Sequence, residues 1–196
     1  MNRPSHTWTL ILAAGASNRF GGPKALAVLN GETLLARAIA TAKGFSGENV
    51  LVVTGGHAEA LKPHLQKVKS IFNDSWANGM GTSILKGVTA IRDLDLNSEM
   101  ILILPVDQPL VESSHLQKLA ADSFNSGCCV LTRNFEGTIG APAALPRDFF
   151  SRATELRGDR GLKSVLTENE MMTVENSRAM IDVDNPDDLK KLDEPL

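Results

Sequence analysis

The sequence predicts an α/β protein of Rossmann-like, three-layer α/β/α form with a mostly parallel central sheet. Apolar runs of strand length alternate with segments whose apolar residues recur at helical spacing, the pattern of a sheet covered by helices. The runs are rich in Val, Ile and Leu without strict alternation, as in strands buried on both faces. A tract of small residues follows the first of them, where an open α/β sheet receives its ligands.

In chain order, strands are expected near residues 8–12, 50–53, 68–72, 100–104 and 128–132. Helices are expected over 33–43, 57–66, 81–91 and 114–124, the last opened by Ser113 or Ser114 as N-cap. Connections between parallel strands are expected to be right-handed. Glycine, alanine and proline crowd residues 137–147, which read as a loop with a short irregular strand rather than another βα unit. No repeat, low-complexity tract or linker interrupts the chain, so residues 1–196 are read as a single domain.

Composition narrows the function. The chain has 196 residues, of which 42% are hydrophobic and 22% charged, enough to bury a full core. A formal charge of −3 without Lys/Arg-rich runs leaves no electrostatic footprint for nucleic acid or an anionic membrane, but is compatible with a small anionic ligand. Cys128 and Cys129, adjacent in an apolar stretch, supply neither a zinc site nor a disulfide framework and read as buried strand residues of a reduced, cytoplasmic protein. Apolar runs such as residues 100–104 are too short to span a bilayer, and residues 1–7 lack the apolar region of a signal peptide.

The tract after the first strand reads Leu12, Ala13, Ala14, Gly15, Ala16, Ser17, Asn18, Arg19, Phe20, Gly21, Gly22, Pro23, Lys24. Small residues let backbone approach a ligand closely, and glycines at 15, 21 and 22 permit the positive φ that turns successive N–H groups into an anion-binding nest. Two familiar phosphate loops do not fit. Lys24 is followed by Ala25 and Leu26, not by the Ser/Thr of a P-loop, and the second strand ends in Val53, Thr54 and Gly55, without the acid of a dinucleotide fingerprint. A triphosphate cradle with Arg19 and Lys24 as counter-charges remains.

The run from Leu12 to Lys24 resembles the signature loop of nucleotidyltransferases with a GT-A-like fold, most closely the MobA/MocA-like branch that attaches CMP or GMP to molybdopterin. Further matches follow in the family's order: Trp76 to Ser83, Pro105 to Pro109, Gly140 to Pro142, Gly158 to Gly161 and Asp182 to Leu189. The resemblance implies transfer of CMP or GMP from CTP or GTP to molybdopterin or a related cofactor, with pyrophosphate released. It places the nucleotide half at about 1–110 and the acceptor and metal half at about 111–196. Transfer to a sugar or alcohol phosphate, and a non-catalytic carrier role for a client molybdoenzyme, are the alternatives.

The resemblance gives Asp107 to Mg²⁺, with Mn²⁺ as a substitute, and favours Asp184 as second ligand over Asp182; magnesium usually takes only one or two protein carboxylates. Alternation would put both of these acids on one side of a short strand and Val183 on the other. Asp187 and Asp188 are read in the first turn of the final helix, where negative charge suits the helix dipole. The catalytic set is Arg19, Lys24 and Asp107. Nucleotide contacts are expected from Leu12, Ala13, Ala14, Gly15, Ala16, Ser17, Arg19 and Lys24, from Thr54, Gly55 and Gly56, and from Asn78, Gly79, Met80 and Ser83. Gly140, Pro142, Arg160 and Lys163 are assigned to the acceptor. Close relatives often carry His before the proline of the Gly-x-Pro motif, where this chain has Ala141. A phosphate monoester acceptor is already anionic and needs no general base, so His6, His57, His64 and His115 are read as surface or loop residues.

Overall fold

The computed structural model describes residues 6–193. Its strands are β1 Thr7–Ala13, β2 Val28–Leu29, β3 Glu32–Thr33, β4 Val50–Thr54, β5 Lys69–Phe72, β6 Met100–Pro105, β7 Cys129–Arg133, β8 Ile139–Pro146 and β9 Met171–Glu175. Its α-helices are α1 Leu34–Ser46, α2 Ala58–Leu61, α3 Met80–Leu94, α4 Ser113–Ser126 and α5 Pro186–Asp193. Seven strands form one sheet in the order β5-β4-β1-β6-β8-β7-β9, while β2 and β3 pair as a small antiparallel ribbon. Strand β1 lies parallel to β4 and β6, with Leu10 between Leu51 and Ile103. Strand β8 runs antiparallel to both β6 and β7, and β9 rejoins parallel to β7.

Alternate residues of the central strands feed two cores. Ile11, Val52 and Leu102 pack with α1 and α4 on one face; Leu10, Leu51, Val53 and Ile103 pack with α3 on the other. A helix layer on each face therefore leaves the carboxyl edge of β1, β4 and β6 as the open end of the sheet. Thr33 caps α1 by accepting from the Ala36 N–H at 3.1 Å.

Several elements depart from the sequence reading. The short irregular strand expected within residues 137–147 is the longer, eight-residue β8, inserted between β6 and β7. Its Ala143, Ala144 and Leu145 are buried, so small residues fill a crowded central position. Pro142, which follows a cis peptide bond, has no N–H to give a ladder; the register with β7 shifts at that point, a bulge that tolerates it. Strand β9 was not foreseen. Strand β5 sits at the sheet edge with Phe72 exposed, not buried on both faces. The helix expected over 57–66 breaks after Leu61 into a 3-10 turn, Lys62–His64, because Pro63 cannot continue α2. Neither serine caps α4: Glu112 holds that position, the Ser113 hydroxyl donates to the Thr41 carbonyl at 2.8 Å, and Ser114 bonds the Glu112 carboxylate.

Cys129 is buried and Cys128 only half-buried. Burial, followed by the nearby Glu170 carboxylate, pushes the Cys129 thiol up to about 12, so it stays protonated and inert. Among the described residues no helix is long and apolar enough to cross a membrane. Residues 1–5 of the segment read as lacking a signal region lie outside the described residues.

Candidate functional site: a charged cleft at the carboxyl edge

Strand β1 ends at Ala13, and the chain leaves the sheet as the small-residue loop. The loop is pinned against the end of β4: Gly56 N–H donates to the Ala14 carbonyl at 3.0 Å, and His57 Nε2 lies 2.8 Å from the Ala16 carbonyl. A carbonyl has no proton to give, so His57 Nε2 carries the hydrogen. Farther along, Phe20 N–H donates to Ser17 O at 2.9 Å and Lys24 N–H reaches Ser17 Oγ at 3.4 Å. The positive φ angles fall at Ser17 and Gly21, not at Gly15 or Gly22. Gly15 instead supplies space: a Cβ there would meet no atom of the protein within 4 Å.

Lys24 opens the 3-10 turn Lys24–Leu26 and reaches back across the cleft. Its Nζ lies 2.6 Å from Asp107 Oδ2 and 3.4 Å from Asp184 Oδ1, while Arg19 Nη1 lies 3.0 Å from Asp184 Oδ2. Asp107 leaves the end of β6. Asp184 belongs to a segment held by Val183, whose N–H donates to the Asp107 carbonyl at 2.8 Å and whose buried side chain packs with Leu29 and Leu34. No strand forms there. Asp188 steadies the turn by accepting from the N–H groups of Asp184 and Asn185 at 3.0 and 3.1 Å.

These side chains line a cleft of about 440 Å³ together with Leu12, Ala13, Gly15, Ala16, Ser17 and His57. Asp182 does not line the cleft and accepts from Gln108 Nε2 at 3.0 Å. Burial raises its carboxyl above the usual range, reinforced by the charges of Asp107 and Asp184. Among the described residues no three His, Cys, Asp or Glu side chains gather as a metal site. The donor set still fits a hard divalent ion. Asp107 and Asp184 already converge on one cation, the Lys24 ammonium, and two carboxylates are as many as a hard divalent ion usually takes from the protein.

The residues expected around a base are dispersed. Thr54, Gly55 and Gly56 border a separate open hollow beside β5, with Gly55 tight against the Ala14 carbonyl and Trp76. Ser83 is buried and its hydroxyl is bonded by Asn73 Nδ2 at 3.0 Å. At the start of α3, Gly81 N–H donates to Gly158 O at 3.0 Å and Met80 N–H to Asp159 Oδ1 at 3.3 Å, so residues 158–159 cap the helix. Gly79 permits that approach: its φ is 103°, and a Cβ would sit 2.2 Å from the Gly158 carbonyl carbon.

Met80 joins Gly140, Arg160 and Lys163 in a mainly apolar pocket of about 460 Å³, walled by Ile103, Leu131 and Leu162. Leu12 borders both this pocket and the charged cleft. Pro142 does not line it; its carbonyl accepts from Thr132 Oγ1 at 2.7 Å.

One histidine was misread: His115 is buried in α4, with Nε2 2.8 Å from Thr132 Oγ1. His57 is a turn residue, as read, and also lines the cleft. Gln108, whose buried side chain also bonds the Ala141 carbonyl at 3.1 Å, was passed over as part of the Pro105 to Pro109 motif.

A parallel half-sheet ending in a pinned small-residue loop, with cations from that loop facing carboxylates from β6 and the C-terminal segment, defines an α/β nucleotidyltransferase fold. The chain belongs to the MobA-like NTP transferase domain family, whose model matches residues 9–173. It is 37% identical over 103 residues to the nicotine blue oxidoreductase of Paenarthrobacter nicotinovorans, a match covering 51% of this chain and 48%, about half, of that relative. Among solved structures, the Mycobacterium tuberculosis rv0371c homolog from Mycobacterium sp. strain JC1 superposes with a TM-score of 0.81 at 27% identity, over 96% of this chain and 95% of that one. The Rv0371c complex with manganese from Mycobacterium tuberculosis H37Rv has the same fold, at a TM-score of 0.74 and 22% identity over 95% of this chain and 97% of that one.

Proposed function

We propose that the protein transfers CMP, or GMP, from its nucleoside triphosphate to a molybdopterin-type acceptor and releases pyrophosphate. The observation that carries this reading is the convergence of Arg19, Lys24, Asp107 and Asp184 in the cleft bordered by the Gly15 loop. Two cations and two carboxylates suit a triphosphate bound with a divalent ion, magnesium or manganese, and membership of the MobA-like family supports it. The manganese complex of Rv0371c lends support to the metal.

In this reading an oxygen of the acceptor's phosphate attacks the α-phosphorus. A new P–O bond forms there, the α–β bridge breaks, and the bridging oxygen leaves with pyrophosphate. Asp107 and Asp184 would hold the divalent ion, which neutralises charge at the α-phosphate when bound. Arg19 and Lys24 neutralise the departing pyrophosphate, and His57 fixes the loop that carries both. The acceptor lies in the apolar pocket beside Leu12, its phosphate drawn by Arg160 and Lys163.

A second reading, transfer to a sugar or alcohol phosphate, rests on Ala141, whose methyl group in the pocket wall offers a pterin no side-chain hydrogen bond. Incubation with CTP or GTP, Mg²⁺ and molybdopterin, followed by pyrophosphate release, separates these possibilities. Release that requires molybdopterin supports the first reading, and release only with another phosphate supports the second. No release with either acceptor class leaves the carrier role for a molybdoenzyme.

A further inference from the structure

The geometry points to Lys24 as a gate on the metal site: its ammonium competes with the divalent ion for Asp107 and Asp184, so metal binds tightly only when a polyphosphate draws Lys24 away. This rests on the reading of these carboxylates as metal ligands.

Three carboxylate oxygens of the pair already face a cation: Asp107 Oδ2 and Asp184 Oδ1 face Lys24, and Asp184 Oδ2 faces Arg19. A divalent ion binding these oxygens would meet the ammonium at the same place, with a repulsion that partial burial does not screen. The two cations differ in freedom. Arg19 is 78% exposed and can turn into water, whereas the Lys24 side chain is 14% exposed and loses its partners without regaining full hydration if displaced alone. Phosphate oxygens change that balance, because they offer the displaced ammonium charge-assisted hydrogen bonds inside the same cleft. Metal and nucleotide thus bind with positive coupling, and by linkage each raises the other's affinity equally. The same side chain that neutralises the leaving group keeps free metal out beforehand.

Mn²⁺ is the probe, titrated without nucleotide and read by electron paramagnetic resonance, which counts bound ion independently of activity. Lys24→Met, neutral and of similar length, is expected to bind Mn²⁺ about tenfold or more tightly than the unaltered protein, within the usual range of coupling between sites. Lys24→Arg keeps the charge and stays near the unaltered value, and CTP or GTP raises the unaltered protein's Mn²⁺ affinity toward that of Lys24→Met. Circular dichroism confirms the fold, and Lys24→Gln serves as second neutral variant if Lys24→Met misfolds. Unchanged or weaker Mn²⁺ binding in the folded neutral variant overturns the gate. Asp107→Asn in the Lys24→Met background locates the ion. If it abolishes Mn²⁺ binding the carboxylate assignment stands, even where Lys24→Met has failed to tighten that binding; if binding survives, the ion lies elsewhere and the assignment falls along with the gate.

Discussion

Lys24 and Asp107 stand 83 positions apart in the chain and 2.6 Å apart in the cleft. In the proposed transfer, Lys24 matters most as charge builds on the leaving pyrophosphate, so its loss acts more on the barrier than on the bound triphosphate. Lys24→Ala is expected to raise the barrier by about 2.7–4 kcal/mol, roughly 10²–10³ in kcat, as for a lost oxyanion donor. Nucleotide affinity in the presence of Mg²⁺ is expected to change far less. Pyrophosphate-release kinetics beside a binding titration read the two effects apart, and near-normal turnover would remove Lys24 from the chemistry. Lys24 and Arg19 were legible in the sequence because charged side chains inside a glycine-rich loop have few structural uses. His57 and Gln108 were not, since each works through a backbone carbonyl, of Ala16 and Ala141 respectively, and one-letter sequence does not display carbonyl positions. The available signal for His57 was its place just after Thr54, Gly55 and Gly56, at the end of the strand beside β1.

Elements were read best where period and burial agreed. Strands β1, β4 and β6 are continuous apolar runs covered on both faces, and sequence pattern follows from that burial directly. Strand β8 was expected only as a short irregular strand because Gly140, Pro142 and three alanines carry no β-propensity; a bulge and two flanking strands hold its eight residues in place. Helix α3 shows how close packing can hang on one small residue. A Cβ at Gly87 would stand 2.3 Å from Leu10 Cδ1 and 2.9 Å from Leu10 Cγ, and Leu10 is wholly buried. Gly87→Ala gains helix propensity of about 1 kcal/mol yet overpacks the α3–β1 contact, at a cost of about 1–3 kcal/mol. Net destabilisation is expected, seen as a lower urea midpoint at unchanged slope, with partial recovery in Gly87→Ala/Leu10→Val. A higher midpoint for the single variant would mean that α3 can lift from β1 at no cost.

At the scale of the whole molecule, a parallel half built on β1, β4, β5 and β6 meets a second half built on β7, β8 and β9, and α4 packs along their junction. His115 ties α4 to the second half: Thr132 Oγ1 on β7 donates to the Pro142 carbonyl on β8, so His115 Nε2 must be the donor to Thr132. In the folded protein His115 Nε2 therefore carries a hydrogen. Burial, then the nearby Lys118 ammonium, pushes its pKa below the ordinary 6.5. A folded-state pKa depressed in this way favours the neutral form, so the contribution to stability is intact above about pH 6.5. As pH falls below that value the unfolded chain takes up a proton that the folded one refuses, and stability drops by up to about 1.4 kcal/mol for each pH unit until the folded pKa is reached. Between pH 7.5 and pH 5 the unaltered protein is expected to lose more thermal stability than His115→Gln, whose amide can still donate to Thr132 without titrating. Both proteins share every other ionisable group, so the difference between their melting curves isolates His115. Equal losses over that range would show that α4 is held on β7 and β8 without a titrating link.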